Sequence, residues 1–288
     1  MSLSVRFWGT RGSVPAPGAH TLRYGGNTPC VEVRADEEPS IILDAGTGIR
    51  QLGDVLNGRA NGGPLTVDIF LTHTHWDHIQ GLPFFSPLYK PASRICIWGP
   101  DSAEAPLGNV FRLLMSPAVF PVSSEEVRAR VEIGPATGAP RSIAGCDIAI
   151  LPVQHPGGAV AYRVSRMGEP GRSVVYVPDN ELGGKDGDER DRLVHFSSGA
   201  GLLIHDSTYT SEEYSARQGW GHSTFEDAVG LALDAEVAHL ALFHHAPERT
   251  DTEIDSLVEM ARATEQARGS KLVITAAAEG QTIVVGGA

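Results

Sequence analysis

The chain has 288 residues, 41% apolar and 20% charged, with a formal net charge of -12. That is ample apolar material for a soluble core in one domain, residues 1–288, and the scattered basic residues disfavour long RNA or DNA as a partner. No run of about 18 apolar residues and no basic-then-apolar leader occurs, so neither a membrane span nor a secretory signal is expected, and the cytoplasm is the expected compartment. Cys30, Cys96 and Cys146 are odd in number and far apart, which reads as buried free thiols rather than a thiolate metal site.

In chain order, short β-rich runs come first, at 5–8, 30–34 and 41–43, each closed by Gly or Asp. A helix is predicted over 49–56. The apolar run 65–71 then reads as a buried strand that ends at Thr72-His73-Thr74-His75-Trp76-Asp77-His78. Residues 83–140 are rich in Pro and aromatics, with a helix expected at 107–115. Their rings either wall a cleft or fill the core, and the core is favoured because large rings dominate burial. Strands are predicted at 147–153, 159–165, 173–177 and 202–205. Ser223 with Glu226 forms a capping box ahead of a helix whose Phe225, Ala228, Val229 and Ala232 share a face; Thr250 with Glu253 forms another. Strands at 272–275 and 282–285 close the chain. Two β-then-α halves predict two sheets sandwiched between outer helices, an α/β architecture.

His73, His75, Asp77 and His78 carry the strongest chemical signal: four metal-ligating side chains within six residues, at a strand end. Gathering them without an ion to engage their lone pairs would be costly. Imidazole and carboxylate without thiolate suit zinc, manganese or iron.

His-x-His-x-Asp-His after a buried strand resembles the signature of the metallo-β-lactamase superfamily, whose fold is a four-layer αββα sandwich. Further motifs follow in the family's order: His155 in Gln154-His155-Pro156-Gly157, Asp179 in Val177-Pro178-Asp179-Asn180 and His244 in Leu242-Phe243-His244. The resemblance implies two divalent ions, zinc first, manganese or iron as alternatives. One would be held by His73, His75 and His155, the other by Asp77, His78 and His244, with Asp179 bridging. His245 adjoins His244 and could exchange roles with it; His244 is favoured because it directly follows the apolar run 240–243. Asp44 in Leu43-Asp44-Ala45-Gly46 resembles the family's bracing aspartate, or is a simple turn residue.

Flavo-diiron oxidoreductases carry an acidic residue where this chain has His75, and antibiotic-hydrolysing β-lactamases generally lack the bridging aspartate. The pattern His205-Asp206-Ser207-Thr208, Gly221-His222-Ser223-Thr224, Leu242-Phe243-His244 is similar to the ribonuclease Z and phosphodiesterase branch. There His222 would protonate a leaving oxygen with Asp206 beside it, although the family's acid at that position is typically Glu. Only 24 positions separate His155 from Asp179, which leaves no room for the tRNA-gripping arm of true ribonuclease Z enzymes. The implied function is a small-molecule phosphodiesterase acting on a cyclic nucleotide or similar phosphoester, with a hydroxide bridging the ions and oriented by Asp77. A lactone or thioester hydrolase, and a non-catalytic metal-binding scaffold, are the alternatives; a homodimer is compatible with either.

Overall fold

The computed structural model describes residues 2–36, 38–100, 106–136, 141–183 and 187–286. Strands in the first half are Leu3–Gly9 (β1), Cys30–Ala35 (β2), Ile41–Leu43 (β3), Leu65–Phe70 (β4), Ser93–Gly99 (β5) and Arg130–Pro135 (β6). The second half has Arg141–Ile143 (β7), Cys146–Val153 (β8), Ala159–Arg166 (β9), Glu169–Val177 (β10), Leu202–Asp206 (β11), His239–Phe243 (β12), Val273–Ala276 (β13) and Thr282–Val285 (β14). They form two seven-stranded sheets, β14-β1-β2-β3-β4-β5-β6 and β13-β12-β11-β10-β9-β8-β7. Within each, one block is parallel: β3 to β6 in the first and β10 to β13 in the second.

Parallel strands are covered on both faces, which explains the near-continuous apolar runs. In β4 and just beyond it Val67, Ile69, Phe70 and Leu71 are fully buried, each worth about 1.5 to 3 kcal/mol relative to exposure. The helices are Ile49–Ala60 (α1), Trp76–Ile79 (α2), Leu107–Leu114 (α3), Gly187–Ser197 (α4), Ser211–Tyr214 (α5), Phe225–Asp234 (α6) and Asp251–Ala267 (α7). One apolar layer joins α1 and α3 to the first sheet, a second lies between the sheets, and a third joins α4, α6 and α7 to the second sheet. This is the expected αββα sandwich. No helix among the described residues is long and apolar enough to cross a membrane.

Three expectations are corrected. Residues 83–140 include strands β5 and β6, which are not among the predicted strands, while the rings go to the core as favoured: Phe85 and Phe111 are buried against α1 and the first sheet, and Phe84 stands exposed. Residues 101–105 and 137–140 of that stretch lie outside the described residues. The cap of α6 is Thr224 with Asp227, one residue later than expected, because Ser223 Oγ instead donates to the Asn180 carbonyl at 2.6 Å and accepts from Leu182 N. The Thr250–Glu253 box stands where the sequence places it. Helix α4 is missing from the prediction, its acidic start showing little apolar periodicity.

Candidate metal centre

Parallel strands align their C-terminal ends along one edge, the usual place for a ligand cleft. Asp44 follows β3, His73 to His78 follow β4, Asp179 follows β10, Asp206 ends β11 and His244 follows β12. His155 follows β8 and reaches the same edge. Two tyrosines tie the sheets together beneath it: Tyr162 OH donates to the Leu71 carbonyl at 2.6 Å and Tyr176 OH to Asp44 Oδ2 at 2.9 Å.

The seven expected ligands converge. His73, His75 and His155 offer ligand atoms within 4.8 Å of one another, and so do Asp77, His78 and His244. Asp179 stands between the two groups. Its Oδ1 lies 3.1 Å from His78 Nε2 and 3.2 Å from His244 Nε2, while its Oδ2 lies 3.7 Å from both His73 Nε2 and His155 Nε2. His73 Nε2, His78 Nε2 and Asp179 Oδ1 are buried without a hydrogen-bond partner, a cost of about 1 to 3 kcal/mol each if nothing else engages them. Such atoms pointing at one another fit a cation, and the imidazole–carboxylate donor set fits zinc, manganese or iron.

The electrostatics point the same way. Burial, reinforced by His78, drives His73 well below its ordinary pKa, so its lone pair is free. Burial alone would lower His78 too, but Asp77, Asp179 and Asp44 outweigh it and push His78 well up: the surrounding carboxylates demand a positive charge there. Burial would raise Asp179, yet His244, His78 and His73 hold it well below the carboxylate range.

Outer contacts orient the rings. His78 Nδ1 lies 2.8 Å from Asp44 Oδ2, and Asp44 also accepts from the backbone N–H of Thr72 at 2.7 Å and from its hydroxyl. Asp44 therefore braces the metal loop and is more than a turn residue, although its φ of 59° is left-handed. His155 Nδ1 donates to the Gly221 carbonyl at 2.9 Å, and His244 Nδ1 lies 3.1 Å from Thr208 Oγ1, itself 2.7 Å from Asp206 Oδ1. These contacts leave Nε2 of each ring for an ion. His245 turns away, its Nε2 2.9 Å from the Ala277 carbonyl, and burial pushes it down to about 3. His244, at a φ of 59°, is the one that faces the cluster.

The roles of several positioning residues are not readable from the sequence. Arg11 is fully buried; its Nε donates to the Gly25 carbonyl at 2.7 Å and its Nη1 to the carbonyls of Ala246 at 3.1 Å and Arg249 at 2.6 Å. Ser13 N donates to Asp77 Oδ2 at 2.8 Å. Between them, a Cβ on Gly12 would meet the His244 ring at 2.3 Å, so only glycine fits. The motif 9–15 is visible as Gly-Thr-Arg-Gly-Ser-Val-Pro, but nothing local says that it clamps the far end of the chain. Glu181 accepts from Gly219 N at 2.7 Å and Gly221 N at 2.8 Å and so holds the loop before His222.

His222 lies at the edge of the cluster. Its Nδ1 is 2.9 Å from Asp206 Oδ2, its ring stacks on His244 at 4.9 Å, and Nε2 has no hydrogen bond among the described residues. Burial would lower it, but Asp206 outweighs burial and pushes it up to about 9. Its ligand atoms also approach His155 with Asp179, and Asp206 with His244, within 4.8 Å. His222 forms part of the wall of a cleft of about 610 Å³; none of the aromatics of 83–140 lines it.

Residues 40–245 match the family model described as the beta-lactamase superfamily domain. A ribonuclease Z from Metallosphaera sedula is 29% identical over 285 residues, covering 87% of this chain and 90% of that protein. Among solved structures, the metallo-beta-lactamase fold protein YhfI from Bacillus subtilis matches with a TM-score of 0.73 at 19% identity, covering 99% of this chain and 100% of that one. A diphosphatase from the PhnP family matches at 0.65 and 18%, covering 98% and 97%. These two likenesses speak to the fold. With the αββα sandwich, the converging His and Asp side chains and a family match over most of its length, the chain belongs to the beta-lactamase superfamily, as a metallo-β-lactamase-fold hydrolase.

Proposed function

We propose that the chain is a binuclear phosphodiesterase acting on a small phosphodiester such as a cyclic nucleotide or cyclic phosphate. The observation that carries this reading is Asp179, whose two oxygens divide between His78 with His244 and His73 with His155. One ion would be held by His73, His75 and His155, the other by Asp77, His78 and His244, with Asp179 shared. Such ions, zinc, manganese or iron, supply when bound a water activated at neutral pH and positive charge against the phosphoryl oxygens. Asp77, fixed by the Ser13 N–H, orients the attacking water. His222, tied at Nδ1 to Asp206, holds a proton at Nε2 and delivers it to the departing oxygen. The three unpaired buried cysteines fit a reducing cytoplasm.

A nucleic-acid substrate is the second reading, favoured by the ribonuclease Z relative. Against it stands the stretch between His155 and Asp179, where β9 and β10 are joined by a turn at 167–168 in place of an arm. The test is metal analysis of protein purified without chelators, with assays on bis-p-nitrophenyl phosphate, cyclic nucleotides, precursor tRNA, lactones and thioesters. Two ions per chain and fastest turnover of the small diesters are expected. Preference for precursor tRNA would select the second reading, and full metal content without any ester turnover would leave only a scaffold.

A further inference from the structure

The cleft beside His222 is walled by none of the seven candidate ligands, and most of its lining has no role in the metal centre. Tyr209, Arg217, Trp220 and Glu248 line it, and at about 610 Å³ it is within the range of small-molecule sites. His222 stands on the wall, so an oxygen that took its proton would lie beside this space and the group attached to that oxygen would extend into it.

The lining indicates the chemistry of that group. Trp220 is 61% exposed, and its indole N–H has no partner among the described residues. A large ring left open on a cleft wall suits stacking. The cations are largely engaged already: the Arg249 Nη2 donates to Glu213 Oε2 at 2.7 Å and to the Thr208 carbonyl at 3.0 Å. Arg217 donates to the Glu213 carbonyl at 3.1 Å and lies over the Tyr209 ring at 5.2 Å, and Tyr209 in turn meets the His222 ring edge-on at 5.8 Å. Glu248 and Glu253 line the same space and add negative charge. Glu213, Glu248 and Glu253 balance Arg217, Arg249 and His222 on this wall, so there is no surplus of positive charge for a chain of phosphates, whereas a flat uncharged ring finds a platform on Trp220.

We propose that the cleft is a leaving-group subsite that accepts a flat, uncharged ring of nucleobase size, stacked on Trp220. The assignment rests on the phosphodiesterase reading for the identity of the leaving group, but binding of the ring itself can be measured without turnover. The probe is adenosine, titrated by calorimetry into the metal-loaded full chain, with ribose as control. Saturable adenosine binding, weakened about 10- to 100-fold in Trp220→Ala and largely kept in Trp220→Phe, is expected from the usual worth of base–aromatic stacking. Circular dichroism of each variant checks that the fold is kept. In parallel, two diesters sharing one phosphoryl portion, with adenosine or methanol as leaving group, are compared. Trp220→Ala lowers kcat/KM for the first by a similar factor and spares the second. Equal adenosine affinity in wild type and Trp220→Ala, no saturable binding at millimolar concentration, or equal slowing of both diesters overturns the subsite. Trp220-dependent binding with no diester hydrolysed keeps the subsite as a ring-binding site and removes the phosphodiesterase reading.

Discussion

The two halves of the metal box are built differently. His73, His75 and His155 form an open group: His75 is exposed, and its ring nitrogen Nδ1 has only His155 Nε2, 3.0 Å away, for company. Asp77, His78 and His244 are buried, and each is held from behind: Asp77 by Ser13, His78 by Asp44 and His244 by Thr208. In the first group His73 has Thr72 Oγ1 at 3.1 Å and His155 the Gly221 carbonyl at 2.9 Å, while the second is held by contacts from distant parts of the chain. An ion in the braced group should therefore be the slower to leave, while the open group is freer to admit substrate.

The comparison breaks most completely at the residue common to both halves. Asp179→Ala should empty both groups if, as proposed, one carboxylate serves two ions and screens their repulsion; metal analysis that still finds two ions per chain would show the halves to be independent. His222→Ala should leave both halves loaded yet slow turnover about 10²- to 10⁴-fold for a diester with an alkoxide leaving group, and far less for p-nitrophenolate, which departs without protonation. Equal losses on the two substrates would remove the acid role. Asp44→Ala should weaken metal binding about 10- to 100-fold, chiefly at the braced half where Asp44 touches a ligand directly; competition with a chromogenic chelator measures it, and loss confined to the open half would contradict the bracing. The mildest test leaves the sequence unchanged. Under limiting chelator one ion should leave before the other, and cobalt substituted into the emptied place should report the spectrum of the open, all-histidine group; simultaneous loss would mean that exposure of His75 has no consequence.

Much of the site is legible in the sequence, and for identifiable reasons. The box 73–78 stands out because four ligands packed into six residues at the end of an apolar run would repel water-starved neighbours unless an ion engaged them. His155, Asp179 and His244 are legible only through family resemblance and through their order, since each alone is an ordinary turn or core residue. Between His244 and His245, adjacency to the apolar run favours the residue that the structure turns toward the cluster. What stays hidden is tertiary. Ser223 looks like a helix cap, and nothing local shows that the Asn180 carbonyl claims its hydroxyl. Strand β6 has partly exposed residues along its length and no clean alternation, so pairing with β5 rather than pattern defines it. Glu181 and Arg11 act on backbone groups far away in the sequence, which leaves no spacing to read.

The reach of Arg11 has a consequence for how the protein matures. Its guanidinium closes on carbonyls 235 and 238 residues away, and β1 pairs with β14 near the other end of the chain. Contacts of such sequence separation form late, because the closure entropy must be met before they add stability. The open half draws on Thr72, Asp179 and the 221 loop, whereas the braced half waits for residues 244–249 to be synthesised and docked. Both ligand groups would therefore be complete only once residues 244–249 have docked against Arg11, so that an ion could meet the first three histidines before the second group has closed.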